Sequence, residues 1–237
     1  MTMSPLTVTA PQLRPPHRYI AIEGPIGVGK TTLARLLAER WSMRTLFERP
    51  QENVFLERFY RDNTRYALPT QLQFALQRTQ QTQEIATALA GAPTPGHLGQ
   101  NTNAPLITDF ITDKTALFAR LTLPDDELEL FREITRRIDT SAPAPDLVVY
   151  LQASPEVLFA RIQKRAVPME LQIPDAYLRA LCDAYNDFFY HYDATPLLTV
   201  NAEHLNPLES DADLALLVDR IETMRGRKEF FVKGTSL

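Results

Sequence analysis

The stretch that decides the fold is residues 18–32, which read RYIAIEGPIGVGKTT. Its first six residues form a short, largely apolar run that ends at Gly24, and this run predicts a buried strand. From Gly24 to Thr31 the chain satisfies the pattern G-x-x-x-x-G-K-[ST], and the residues that follow have apolar positions at helical spacing. Because the glycine-rich segment lies between a strand and a helix, as the pattern requires, we interpret it as a phosphate-binding loop.

The residue types in this loop suit phosphate chemistry. Glycine lets the backbone turn its N–H groups inward around phosphate oxygens, and the helix that begins near Lys30 adds its N-terminal dipole. The Lys30 ammonium can reach the β- and γ-phosphates and act in catalysis, while the Thr31 hydroxyl can ligate Mg²⁺. We therefore predict ATP and Mg²⁺ as cofactors. The predicted nucleotide contacts are Gly24, Pro25, Ile26, Gly27, Val28, Gly29, Lys30, Thr31 and Thr32.

Two acidic residues follow predicted strands. Glu48 comes after an apolar strand at 43–47, and Asp109 comes after another at 105–108. In an open parallel sheet, ligands bind outside the carboxyl ends of the strands, so both acids and the phosphate loop should meet at one edge. A carboxylate there can orient an attacking hydroxyl and take its proton, or hold Mg²⁺ directly or through water. For either acid alone, a helix N-cap is the alternative interpretation.

A basic pair lies further along the chain. Arg161 and Arg165 are four residues apart on a predicted helix, and they therefore share one face. Since this helix runs into a proline-containing stretch, we interpret residues 161–172 as a lid. Such a lid would close over a transferring phosphoryl group and supply fixed positive charge. A solvated basic face is the alternative.

The remaining sequence alternates between strand-like and helix-like segments. Further strands are predicted at 146–151 and 197–200, the second being the last strand of the chain. Helices are predicted at 31–41, twice within 53–89 with Pro69 as the one interruption, and at 114–120, 125–140, 154–165, 174–192 and 211–225. This alternation predicts an α/β fold of the P-loop kinase type, with a central parallel sheet flanked by helices on both faces.

The boundaries of this domain follow from composition. One domain is predicted over residues 18–226, after an N-terminal tail at 1–17 that four prolines favour as disordered. Residues 91–104 contain no Asp, Glu, Lys or Arg and are rich in turn formers, which predicts a loop. Residues 227–237 are expected to form a C-terminal tail.

The bulk composition excludes several classes of protein. The net charge of −4 argues against a general basic surface for nucleic acid, so positive charge for phosphate must be local. No stretch is long and apolar enough to span a membrane. The single cysteine, Cys182, allows no intrachain disulfide, which favours a reducing compartment and a cytoplasmic location.

With these motifs in view, the chain resembles the deoxynucleoside kinase family, which includes thymidine kinases of the herpesvirus type. Residues 22–32, IEGPIGVGKTT, are similar to the family's I-E-G-x-I-G-x-G-K-T-T. Residues 55–71, FLERFYRDNTRYALPTQ, are similar to the bacterial branch's F-L-x-x-F-Y-x-D-x-x-R-Y-A-F-x-x-Q. The resemblance implies that Glu48 is the base for the sugar 5′-hydroxyl. It also implies that Tyr60 contacts the 3′-hydroxyl, that Gln71 pairs with the base, and that Arg78 lies in the base pocket.

The resemblance also has departures. Asp109 matches the acid of the family's D/E-R-S motif and is implied to contact substrate as well as Mg²⁺, but Phe110 stands where arginine is usual. The nearby Lys114 is a candidate to replace that charge. Residues 161–170, RIQKRAVPME, are similar to the family's lid pattern, and Glu170 matches its acid for the 3′-hydroxyl. Val167 replaces the second lid arginine.

The function that these residues predict is transfer of the ATP γ-phosphoryl group to the 5′-hydroxyl of a deoxynucleoside. Gln71 with Arg78 favours a purine, and the resemblance implies a homodimer. One alternative is a nucleoside monophosphate kinase of the thymidylate kinase type, which needs an added arginine for the acceptor phosphate, and Phe110 argues against it. The others are a P-loop GTPase, whose N/T-K-x-D motif the sequence lacks, and a nucleotide-binding module without catalysis.

Overall fold

The computed structural model describes residues 16–92, 103–138, 141–207 and 209–234. Six strands form one parallel sheet in the order β2-β3-β1-β4-β5-β6. They are β1 Tyr19–Glu23, β2 Arg44–Leu46, β3 Leu106–Thr108, β4 Leu147–Gln152, β5 Leu197–Asn201 and β6 Lys228–Phe231.

Eight α-helices connect and flank these strands in the described ranges. They are α1 Lys30–Trp41, α2 Leu56–Arg61, α3 Asn63–Leu89, α4 Lys114–Thr122, α5 Asp125–Ile138, α6 Pro155–Arg165, α7 Asp175–His191 and α8 Asp211–Thr223. Short 3₁₀ turns occur at Pro50–Glu52 and Glu170–Gln172. All five residues of β1 and the first five of β4 are buried, so both faces of the sheet are covered. The predicted fold class is confirmed.

The strand order explains where the loops that carry chemistry meet. β1, β3 and β2 are neighbours, and all three run in the same direction. The phosphate loop follows β1, Asp109 follows β3 and Glu48 lies two residues beyond β2. Because parallel strands place their carboxyl ends at one edge, the three loops come together there, as ligand-binding loops do in open α/β sheets.

The long helix α3 differs from the sequence-based prediction. The break in the helical stretch falls at Asp62, which caps α3 by accepting a hydrogen bond from the Arg65 amide, and Pro69 lies inside the helix. Proline removes one helical donor, but the loss is confined to a single turn of a helix whose flanks pack tightly. The buried Phe59 and Tyr60 of α2 and the buried Thr70 and Gln71 of α3 belong to this packing.

The strand predicted at 197–200 is present as β5, but the prediction that it is the last strand was wrong. β6 pairs with β5 in parallel, with Leu197 opposite Lys228 and Val200 opposite Phe231, so part of the predicted tail at 227–237 is an edge strand. Its residues alternate between exposed and half-buried. A short edge strand that packs on one side carries little apolar signal, which is why its sequence gives no clear pattern.

Some predictions fall largely on residues outside the described ranges. These are the tail at 1–17, of which only Pro16 and His17 are described, and most of the loop at 91–104. The other predicted strands and helices are present with small shifts of their ends. Within the described part of the chain, no helix has both the length and the apolar character needed to cross a membrane.

The start of the phosphate loop depends on a close backbone approach. Gly24 has φ +151°, and a Cβ atom there would lie 2.4 Å from the carbonyl oxygen of Leu151 in β4. Gly29 also has positive φ, at +104°, but a Cβ atom there would meet nothing within 4 Å. Gly24 is therefore required by a close backbone contact as well as by its φ angle, whereas Gly29 is favoured by its φ angle alone.

We predict that Gly24→Ala lowers the free energy of unfolding by roughly 2 kcal/mol or more, because it adds a backbone clash to an unfavourable φ. Gly29→Ala is the matched control, and it should cost less since it carries the backbone strain alone. Urea denaturation of both variants measures the difference. Equal losses of stability would contradict the importance of the contact with Leu151.

Candidate active site

A cavity of about 450 Å³ lies at the carboxyl edge of β1, β3 and β2, within the usual size range of ligand pockets. Most of the residues predicted from the sequence line it, and they come from the phosphate loop, α2, α3, the ends of β2 and β3, and the lid. They are Ile26, Gly27, Gly29, Lys30, Thr31, Thr32, Glu48, Tyr60, Gln71, Arg78, Asp109, Arg165 and Glu170.

The phosphate loop is folded for anion binding. Gly24, Gly27 and Gly29 all have positive φ, which turns successive backbone groups inward. A Cβ atom on Gly27 would lie 2.9 Å from Cγ1 of Ile162, so that glycine allows α6 to pack against the loop. The open space beside Gly29 faces the cavity at the start of α1, where the helix dipole is positive. The loop therefore fits a phosphate group.

Lys30 lies against its own loop. Its Nζ donates hydrogen bonds to the carbonyl oxygens of Gly24, at 2.7 Å, and Pro25, at 3.2 Å. Burial lowers the pKa of Lys30, and the surrounding carboxylates, Glu23 first among them, oppose that shift. The ammonium is thus held at the loop, with one of its three N–H donors left for a further acceptor such as a phosphate oxygen.

Asp109 connects the phosphate loop to the segment after β2. One carboxylate oxygen accepts a hydrogen bond from the Thr31 hydroxyl, and the other accepts one from the Glu48 amide at 2.7 Å. Burial raises the pKa of Asp109, while these two hydrogen bonds act in the opposite direction. A hydroxyl and a carboxylate side by side at the phosphate loop are oxygen ligands that suit Mg²⁺.

Glu48 carries two cationic partners. Its Oε1 accepts a hydrogen bond from Arg78 Nη2 at 3.0 Å, and its Oε2 accepts one from Lys114 Nζ at 2.9 Å. Burial alone would raise the pKa of Glu48, but the charges of Lys114 and Arg78 outweigh it and lower the pKa to about 2. Glu48 is therefore a carboxylate at neutral pH, with about a fifth of its side chain exposed at the cavity.

Gln71 presents an unsatisfied polar group to the same cavity. Its side chain is only 1% exposed, and its Oε1 has no hydrogen-bond partner among the described residues. The same is true of the Thr70 hydroxyl beside it. Buried polar atoms normally have partners, so these two atoms mark a place where a ligand can complete the hydrogen bonding. Phe74 and Phe118 also line this part of the cavity.

Tyr60 and Glu170 lie on the lid side of the cavity. Burial, with smaller contributions from Tyr177 and Glu170, raises the pKa of Tyr60 well above its usual value, so its hydroxyl stays a hydrogen-bond donor. Arg165 forms an ion pair with Glu170 across the turn between α6 and the following 3₁₀ segment. All three side chains line the cavity and together form a polar wall.

Arg161 has a different environment from Arg165. Its guanidinium donates to the carbonyl oxygens of Val28, at 3.3 Å, and Ala202, at 2.6 Å, and it does not line this cavity. It therefore holds the phosphate loop to the segment after β5. The predicted pair on one helix face is divided, with one arginine supporting the loop and the other lining the cavity.

Glu23 is a buried acid next to the site that the sequence did not single out. It is fully buried, and its carboxylate accepts hydrogen bonds from the Gly24 amide, the Ile111 amide and the Tyr185 hydroxyl, at 2.9, 2.9 and 3.1 Å. Its signal in the sequence was an acid at the end of an apolar strand. That signal did not predict which three groups donate hydrogen bonds to Glu23.

A buried cation at the site comes from α4. Phe110 is fully buried, whereas Lys114, at the first position of α4, reaches Glu48 and lies 3.5 Å from Glu23. The sequence raised Lys114 as a candidate for this charge. The structure places its ammonium beside Glu48, the predicted partner of the acceptor hydroxyl.

Comparisons with known proteins show the family of the chain. The family model described as deoxynucleoside kinase matches residues 20–224. Among curated relatives, the deoxyguanosine kinase of Bacillus subtilis (strain 168) is 32% identical over 183 residues, covering 77% of this chain and 84% of its own length. The deoxyadenosine/deoxycytidine kinase of the same organism is 26% identical over 218 residues, covering 89% and 94%.

Solved structures show the same fold. The deoxyadenosine kinase from M. mycoides with bound dATP superposes with a TM-score of 0.69 at 22% identity, covering 87% of this chain and 100% of the other. The same enzyme with dCMP and dCDP gives a TM-score of 0.70 at 21% identity. With a family match over most of the length and a phosphate loop facing an acid across one cavity, the chain belongs to the deoxynucleoside kinase family of ATP-dependent phosphotransferases.

Proposed function

We propose that the protein transfers the γ-phosphoryl group of ATP to the 5′-hydroxyl of a deoxynucleoside, with a purine as the favoured base. The observation that carries this proposal is that the Lys30 loop and the Glu48 carboxylate line one cavity. A donor phosphate on the loop and an acceptor hydroxyl at the acid would then meet inside it, as in-line transfer requires.

Glu48 acts in this proposal mainly by orienting the acceptor hydroxyl. A carboxylate with a pKa of about 2 is a weak base but a good hydrogen-bond acceptor. Phosphoryl transfer through a loose transition state needs little proton removal before the bond to phosphorus forms, so positioning dominates. Glu48 accepts the proton as the transfer completes.

Charge on the phosphates is balanced by several groups. Lys30 would exchange its two loop carbonyls for phosphate oxygens, and Arg165 would leave Glu170 to contribute from the lid. Thr31 and Asp109 would hold Mg²⁺, which neutralises phosphate charge when it is bound. Arg161 would serve catalysis by holding the loop in shape.

The acceptor would be recognised by the rest of the cavity. Gln71 would pair with the base through its amide, which offers both a donor and an acceptor, and Tyr60 and Glu170 would contact the 3′-hydroxyl. The unpaired Oε1 of Gln71 supports a base edge that carries a hydrogen-bond donor. The similarity to a deoxyguanosine kinase supports a purine. Arg78 would act on the base pocket and on Glu48 together.

The same family membership is our reason to propose a homodimer that works in the cytoplasm. Sedimentation velocity of the purified protein tests whether it is a homodimer. A single species at the mass of one chain would contradict the homodimer.

A turnover panel tests the acceptor. We expect phosphorylation of deoxyguanosine or deoxyadenosine with ATP and Mg²⁺ to exceed that of deoxycytidine and thymidine, because Gln71 and Arg78 both line the cavity and a deoxyguanosine kinase is among the relatives. The four deoxynucleoside monophosphates are the comparison set, and nucleotide analysis by chromatography is the measurement. Turnover of the monophosphates alone would contradict the proposal and favour a monophosphate kinase.

Lys30 tests the phosphate site. Lys30→Ala should lower kcat by roughly 10²–10³, the usual loss for one preorganised charge that stabilises the transition state. Lys228, an exposed lysine on the edge strand, is the matched control, and Lys228→Ala should turn over normally. Near-normal kcat in Lys30→Ala would exclude this loop as the donor site.

Glu48 tests the acceptor side. Glu48→Gln should lower kcat by roughly 10², because the amide accepts a hydrogen bond more weakly and cannot take the proton. Glu52, which pairs with Arg49 and has an exposed side chain, is the matched control. Steady-state kinetics with the best acceptor from the panel measures both variants. An unchanged kcat in Glu48→Gln would show that another group orients the acceptor hydroxyl.

A further inference from the structure

The feature that carries a further inference is a lysine buried between two acids. Lys114 is 2% exposed, and its Nζ lies 2.9 Å from Glu48 Oε2 and 3.5 Å from Glu23 Oε2. An ammonium taken out of water needs such partners, because its desolvation is otherwise uncompensated. Glu23 ends β1 immediately before the phosphate loop, and Glu48 lies on the acceptor side of the cavity.

Glu23, Lys114 and Glu48 form a bridge between the phosphate loop and the acceptor side of the cavity. The Glu23 end of this bridge is rigid. Glu23 is fully buried and accepts hydrogen bonds from two backbone amides and one tyrosine hydroxyl, and one of the amides is that of Gly24, the first residue of the loop. A carboxylate with this many fixed donors has little freedom to move. Lys114 therefore has a fixed ion-pair partner in Glu23, at 3.5 Å, and donates a hydrogen bond to Glu48, at 2.9 Å.

The acceptor side of the bridge is open. The side chain of Glu48 is 20% exposed, whereas that of Lys114 is 3% exposed, so the carboxylate faces the cavity while most of the cation behind it is covered. The second cation on Glu48, Arg78, also donates to the hydroxyl of Thr115, the residue after Lys114. The first turn of α4 thus holds Glu48 through both of its cations.

We propose that Lys114 is a positioning residue that links the phosphate loop to the acceptor acid. Its ammonium, paired with Glu23, fixes the Glu48 carboxylate in the orientation that receives the acceptor hydroxyl. The link places the acceptor oxygen relative to the loop that holds the donor phosphate. This inference rests on the proposed role of Glu48, and the experiments below separate the two.

The kinetic test uses Lys114→Met, which keeps the approximate length of the side chain and removes its charge. We expect kcat to fall roughly 10- to 100-fold, because a small displacement of an orienting group costs about this much. KM for ATP should change less than about threefold, since the loop residues that bind phosphate are intact. Lys228→Met is the matched control and should change neither constant. An unchanged kcat in Lys114→Met would overturn the proposal.

A double-mutant cycle separates positioning from a general loss of structure. If Lys114 acts through Glu48, then adding Lys114→Met to Glu48→Gln should lower kcat less than about threefold further. A further loss as large as in the wild-type background would overturn the proposal, because it would show that Lys114 acts independently of Glu48. Should Lys114→Met fail to fold, Lys114→Gln takes its place in the same cycle with the same expectations.

A third measurement needs no turnover. Urea unfolding of the wild type, Lys114→Met, Glu48→Gln and the double variant reports the coupling between the two side chains. We expect Lys114→Met to lower the urea midpoint much less in the Glu48→Gln background than in the wild type. If no deoxynucleoside is phosphorylated, the proposed function fails while this cycle still reports the link. Equal shifts in both backgrounds would overturn the link itself.

Discussion

The carboxylate of Glu23 is the constraint on which the rest of the site depends. It ends the central strand β1 and accepts hydrogen bonds from the start of the phosphate loop, from the segment after β3 and from α7. Three parts of the chain that are distant in sequence thereby converge on one buried charge. Moving that carboxylate would disturb the loop that binds phosphate and the strand end that carries Asp109, because both are attached to it.

A buried anion requires a cation, and the cation here is shared. Lys114 lies between Glu23 and Glu48, so the energetic requirement of a structural acid also sets the environment of a candidate catalytic acid. Buried ion pairs contribute little net stability, since desolvation offsets much of their attraction. What they do provide is a fixed geometry, and a site for phosphoryl transfer depends on geometry more than on acid–base strength.

Helix α6 places its two arginines in different environments. Arg161 and Arg165 are one turn apart on α6, yet one holds the carbonyls of Val28 and Ala202 and the other pairs with Glu170 at the cavity. The difference arises because Ile162 packs against Gly27, which brings the middle of α6 onto the phosphate loop and leaves its end free to face the cavity. Support for the phosphate loop and a cation at the cavity thus come from the same element.

The sequence alone determined the features whose signals are local. The strand, glycine loop and helix at 18–41 specify their own geometry, and Glu48 and Asp109 were assigned to one edge because parallel strands place their ends together. Gln71 and Tyr60 came from the family pattern, and the structure brings both to the cavity. The tertiary structure alone decided which charges meet. Lys114 and Glu48 are 66 residues apart and Tyr185 and Glu23 are 162 apart, and no periodicity encodes such distances. The same holds for β6, whose half-exposed residues form a strand only because β5 offers them an edge.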